Sequence, residues 1–248
     1  MRLISYDAHV NIDRASGTSD PGQFVRAAEA AGLQAVALVT SYAPSENSAD
    51  KCAERLKAVD SASPVQVVPA IQTEILDTSG RIRAPASACQ SFPLVLAHLS
   101  ERTAAIGHDV PVRWEQLIDN IFASLTGAIE TELVNVLAYP FNLGRFPAPI
   151  TPGELPTERL EELGDAMAAA EVACELCNRA WWWYPDLPVD EFTEELARVL
   201  QAFSRCGVKF IVGSDCCDIN GVGNLRYVQR LMQEAGIQRS QLVDIARL

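Results

Sequence analysis

Short apolar runs alternate along this chain with stretches whose apolar residues keep helical spacing. The first run, Leu3-Ile4-Ser5-Tyr6-Asp7-Ala8-His9-Val10-Asn11, alternates residue by residue. A β-strand would put Ser5, Asp7, His9 and Asn11 on one face and Ile4, Tyr6, Ala8 and Val10 on the other. A polar loop over 12–20 follows. Ser19-Asp20-Pro21 then opens a helix with a capping side chain and an early proline, and Gly32 stops it. Ala35–Thr40 is nearly all apolar, as in a strand buried on both faces, and ends in Ser41-Tyr42. A helix is predicted over Ser48–Val59, then a strand over Val65–Ile71 running on to Glu74. Asp77–Gln90, rich in Gly, Pro and Ser, reads as loop.

The alternation continues with a strand over Pro93–Ala97 ending in His98 and a helix over Pro111–Leu125. A strand over Leu133–Ala138 ends in Tyr139-Pro140, and a proline-containing loop leads to a helix over Thr157–Ala170. A strand over Val172–Leu176 and a tryptophan-rich loop come next, then a helix over Val189–Cys206 and a strand over Lys209–Val212 ending in Gly213-Ser214-Asp215. Helices near Gly223–Ala235 and Arg239–Arg247 finish the chain. About seven strands alternating with helices predict right-handed βα units around a parallel sheet. Seven strands allow an open doubly wound sheet or a barrel, and polar residues at nearly every strand end favour the barrel, with one shared mouth. No linker or repeat divides the chain, so a single α/β domain spanning 1–248 is expected.

Composition narrows the field. With 248 residues the chain can bury the core of one such barrel. No apolar run approaches the roughly 18 residues of a membrane span, and the N-terminus shows no signal-peptide pattern. The seven cysteines are odd in number and scattered, which suits reduced thiols and a cytoplasmic location. A net charge of −12 argues against nucleic acid as a partner.

The candidate chemistry lies at the strand ends: Asp7, His9 and Asn11; Tyr42; Glu74; His98; Tyr139; Glu175 and Asn178; Asp215 and Cys217. Imidazoles and carboxylates arriving from separate strands are what a divalent transition metal needs, each giving a lone pair at about 2 Å. In this order the motifs resemble the polymerase and histidinol phosphatase (PHP) superfamily. Its Asp-Leu-His-x-His opening stands here as Asp7-Ala8-His9-Val10-Asn11, and its Thr-Asp-His motif as Thr40-Ser41-Tyr42. Its acidic motif ends at Glu74, its mid-chain histidine is His98, and its His-Pro is Tyr139-Pro140. Its closing Gly-Ser-Asp-Ala-His is Gly213-Ser214-Asp215-Cys216-Cys217.

The resemblance implies a distorted (β/α)7 barrel, TIM-barrel-like, that hydrolyses a small phosphate ester with a metal-activated water. It implies metal ligands at His9, Asn11, Glu74, His98, Asp215 and Cys217, with Asp215 or Glu74 handling protons. Tyr42, Tyr139, Arg145 and Asn178 would contact the substrate, and Asp7 would orient His9 or anchor a loop. The ligand set is reduced. Asn11, Tyr42, Tyr139 and Cys217 stand where the family has histidine, and the chain contains only three histidines. One zinc, manganese or iron ion is therefore expected, at most two. The alternative is a catalytically inactive barrel serving as a binding or interaction module.

Several motifs carry less. Cys174-Glu175-Leu176-Cys177 has C-x-x-C spacing but falls in a predicted strand, where the two thiols are not set up as a redox pair. Trp181-Trp182-Trp183-Tyr184 predicts an aromatic plug at the rim, or a stacking wall for an aromatic substrate. Arg145 is a candidate phosphate clamp.

Overall fold

The computed structural model describes residues 4–13, 20–43, 53–54, 56 and 63–247. Seven strands, β1 (Tyr6–Asn11), β2 (Ala35–Ser41), β3 (Gln66–Glu74), β4 (Leu94–His98), β5 (Val136–Leu137), β6 (Ala173–Cys177) and β7 (Phe210–Gly213), form one parallel sheet in sequence order. Between β7 and β1 the sheet nearly closes. The Asn11 N–H donates to the Cys216 carbonyl at 2.8 Å, and Val10 bridges Cys216. The fold is an α/β TIM-barrel-like barrel with helices between its strands, as the alternation predicts.

The described α-helices are α1 (Pro21–Ala30), α2 (Ala86–Gln90), α3 (Trp114–Glu130), α4 (Thr157–Ala169), α5 (Val189–Arg205) and α6 (Arg226–Ala235). Asp20 caps α1 by accepting from the Gly22 N–H at 3.0 Å, with Pro21 at the first helical position. No helix of the described residues is long and apolar enough to cross a membrane.

The boundaries differ from the sequence reading in informative places. The helix predicted over Ser48–Val59 falls mostly outside the described residues. Within the expected loop 77–90 the chain folds back, pairing Ile75 with Ile82, and forms α2. Helix α3 runs through Gly127 to Glu130 because Leu125, Ala128 and Ile129 continue its buried face. The last expected helix is instead two 3-10 turns, Arg239–Gln241 and Ile245–Arg247, with Leu242 bridging Phe210 of β7.

Loop 77–81 is seated on α3 through two glycines. Gly80 has φ +74°, and a Cβ there would lie 1.9 Å from the Gly127 carbonyl carbon. Gly80→Ala therefore meets both a disfavoured backbone and a hard clash. We expect it to destabilise the fold by about 3 kcal/mol or more, read as a lower unfolding midpoint in denaturant. A midpoint within error of wild type would refute that packing.

Candidate active site at the barrel mouth

Strand β1 does not keep strict alternation. Asp7 pairs with Val36 and Val10 with Leu38, so one extra residue bulges out of β1 between them. The two polar side chains around the bulge have different tasks. Asp7, fully buried, accepts backbone N–H groups from His9 (3.2 Å), Ser214 (2.9 Å) and Gly223 (2.9 Å). It anchors the segment after β7 to β1 and does not orient the His9 ring.

Glu175 of β6 does that. Its Oε1 lies 2.8 Å from His9 Nδ1, and both residues are buried. Gly213 makes the approach possible, since a Cβ there would lie 2.5 Å from the His9 Cβ and 2.6 Å from Glu175 Oε1. Nε2, at the other end of the imidazole, is 3.7 Å from Asp215 Oδ1 and has no hydrogen-bond partner. Asn11 Nδ2 donates to the same Asp215 oxygen at 2.8 Å, and Asn11 Oδ1 is buried without a partner. Burial alone would push the His9 pKa down. The carboxylates of Glu175 and then Asp215 overcome it and hold the ring up at about 9.

Two residues at the mouth hold backbone that side-chain-bearing residues rarely adopt: Tyr139 with φ +34° and Asp215 with φ +52°. Such conformations persist where the surroundings over-determine them, commonly around sites. Tyr139 is gripped from three directions. Its ring stacks on His9 (centroids 5.9 Å apart), tilts against His98 (5.7 Å) and stacks on Trp183 (6.1 Å), and its hydroxyl accepts from Gln72.

On the far side of Tyr139, Glu74 and His98 are register partners across β3 and β4. Glu74 does not join His9 and Asp215. Its carboxylate is bound by Arg83 and lies 3.5 Å from Arg102. Partial burial works against ionisation, but Arg83 prevails and keeps the Glu74 pKa below the usual carboxylate value. The expected ligand set thus divides into His9, Asn11 and Asp215 on one side and Glu74 and His98 on the other. Among the described residues no three His, Cys, Asp or Glu side chains are grouped to hold one ion.

The remaining expected residues also find their places. Arg145 and Cys217 line a cleft of about 170 Å³ with Asn11, Arg179, Trp182, Trp183 and Asp215. Asn178 turns its Oδ1 to α6, where it accepts the Tyr227 (2.9 Å) and Val228 (3.3 Å) N–H groups of the first turn. Tyr42 is half-buried against the core. Ala180–Trp183 forms a 3-10 turn, with Trp182 exposed and its ring 3.9 Å from the Arg179 guanidinium. Cys174 and Cys177 are buried free thiols, and burial pushes both their pKa values up.

Gln72, Arg83 and Arg179 carry no role in the sequence reading, and Glu175 stands there only as a strand-end carboxylate of the mouth. Only Arg179 leaves a local signal there, a guanidinium directly after a strand and before the tryptophans.

No family model matches the sequence, and no curated protein matches it. Solved structures do match the fold. Histidinol phosphate phosphatase (HisK) of Lactococcus lactis subsp. lactis Il1403, solved with zinc, L-histidinol and phosphate, superposes with a TM-score of 0.71 at 17% identity, over 95% of each chain. A candidate histidinol phosphatase, HisK of Listeria monocytogenes, gives 0.60 at 11% identity, over 90% of this chain and 99% of that one. A chain from archaeal ribonuclease P with mature tRNA gives 0.54 at 13% identity, over 94% of this chain and 84% of that one. The barrel is one shared with histidinol phosphatases.

Proposed function

We propose that this chain is a hydrolase of small phosphate esters, a divergent member of the PHP superfamily with a single metal position. The observation that carries this reading is the cleft where Asp215 and Asn11 share a wall with Arg145, with the His9 imidazole beside Asp215. The barrel common to this chain and the L. lactis phosphatase supports it.

One divalent ion suits the donors present. They are the unpartnered Nε2 of His9, the Asp215 carboxylate and the unpartnered Oδ1 of Asn11, with Glu175 holding the imidazole from behind. Zinc, manganese or iron would accept that set. A second or third ion does not fit. Tyr139 packs against both imidazoles, a phenol is a poor ligand at neutral pH, and Glu74 is closed off by Arg83. When bound, the ion would supply an acidified water.

The protein's own groups divide the remaining work. Arg145 offers its guanidinium to the phosphoryl oxygens. Asp215, whose Oδ1 faces Asn11 and His9, accepts a proton from the attacking water on Oδ2. Glu74 stays outside this scheme, held by Arg83.

The test is phosphate release from a panel of phosphomonoesters, histidinol phosphate and p-nitrophenyl phosphate among them, with Zn²⁺, Mn²⁺, Fe²⁺ or EDTA. Turnover is expected with metal, and Asp215→Asn should lower it by about a hundredfold or more while leaving the fold intact. Absence of turnover across the panel with every metal would overturn hydrolysis. The reading it would leave is a binding module.

A further inference from the structure

The positions where metal positive charge would be expected at this mouth are largely taken, by Tyr139 at one and by the Arg83–Glu74 pair at another. A phosphate dianion nevertheless needs cations, all the more in a chain of net charge −12 whose average field repels it. Two guanidiniums line the cleft. Arg145 reaches it from the loop after β5, and Arg179 from the residues directly after β6. Among the described residues neither pairs with a carboxylate, whereas Arg83 and Arg102 are both engaged by Glu74.

Arg179 is also held in place. Its guanidinium lies over the Trp182 ring, and Nη1 donates to the Asp215 carbonyl at 3.1 Å. That contact uses one N–H and leaves the other donors of the planar fork for a ligand. Stacking on the indole fixes the plane of the group, so less side-chain entropy is lost when an anion arrives. The cleft, at about 170 Å³, suits an anion of phosphate size with a small substituent.

We propose that Arg145 and Arg179 form a phosphoryl-binding subsite that holds phosphate without any metal ion, the guanidiniums standing in for the cations that this mouth does not accommodate. This rests on the cleft being the substrate site. It separates binding from chemistry, since the anion is held by the two arginines while the single metal position serves only the water.

Trp182 and Trp183 line the cleft and report on its occupancy, so the test is titration of the full chain with inorganic phosphate, read by tryptophan fluorescence and by calorimetry. Binding in EDTA within about twofold of that in Zn²⁺ or Mn²⁺ supports the proposal. So does a weakening of roughly ten- to a hundredfold in Arg145→Ala and in Arg179→Ala, each loss being that of a charge-assisted hydrogen-bond donor. Arg179→Lys, which keeps the charge but not the fork, should recover only part of the affinity. Phosphate binding that appears only when metal is supplied overturns the proposal, as does an Arg179→Ala protein, folded by circular dichroism, that binds like wild type. Metal-dependent turnover with no phosphate binding in EDTA would defeat this inference alone. Phosphate binding in EDTA without turnover would defeat hydrolysis alone.

Discussion

Asp7→Ala is expected to lower the melting temperature by about 10–20 °C. The Asp7 carboxylate is fully buried, and burial pushes its pKa up, with the N–H groups of Gly223, Ser214 and His9 pulling it back. It binds the N–H of Gly223 on one oxygen and those of His9 and Ser214 on the other. Removing the acceptor leaves two buried donors, the His9 and Ser214 N–H groups, and the half-buried Gly223 N–H without partners, at about 1–3 kcal/mol for each buried one. Water entering the vacated space offsets part of that, so a net loss of roughly 5 kcal/mol is expected, and each kcal/mol moves the midpoint of a chain this size by about 2–4 °C. Asp7→Asn keeps one acceptor oxygen but turns an amide toward donors, so it should fall between. Thermal unfolding followed by circular dichroism decides it. A drop under about 3 °C would mean that the closing contact of β7 with β1 does not depend on Asp7.

That same residue shows where sequence reasoning reached its limit. The strands were legible because seven apolar runs are separated by helical spacing, and the order of polar strand ends pointed to a barrel with a common mouth. Which side chains meet there was not legible. Strict alternation treats Asp7 and His9 as equivalent, and the bulge between Asp7 and Val10 breaks that symmetry, an event without a Gly or Pro to announce it. Glu175 finds His9 across 166 residues of chain. Glu74, read as a ligand from its place at a strand end, is neutralised by Arg83, which the Ile75–Ile82 pairing brings back to it. Asn178 reads as a polar strand end in the same way, yet its acceptor oxygen is used on the backbone of α6. Strand ends can be counted from a pattern, but partners depend on closure of the ring.

The second large effect concerns the competition between a proton and a metal ion at His9. The imidazole lies between Glu175 and Asp215. Although burial alone would drive its pKa down, the two carboxylates hold it at about 9, so near neutral pH the ring carries a proton on each nitrogen. A metal ion needs the lone pair on Nε2 and must displace that proton. Affinity for Mn²⁺ or Zn²⁺ is therefore expected to rise about tenfold per pH unit, roughly a hundredfold between pH 6 and 8, with about one proton released per ion bound. The sign for stability runs the other way in the metal-free protein. A pKa raised on folding contributes stability that is complete below the unfolded value of about 6.5 and is lost as pH climbs through about 9. Metal-free protein should thus weaken across that window while metal binding strengthens. Glu175→Gln removes the charge that contributes most to holding the proton, so its affinity should level off at a lower pH. Calorimetry in buffers of different ionisation enthalpy measures the released proton directly. Affinity independent of pH would mean that His9 Nε2 is not a ligand, and no binding at any pH would remove the single-ion position, leaving His9 as an imidazole hydrogen-bonded to Glu175 with Asp215 3.7 Å away.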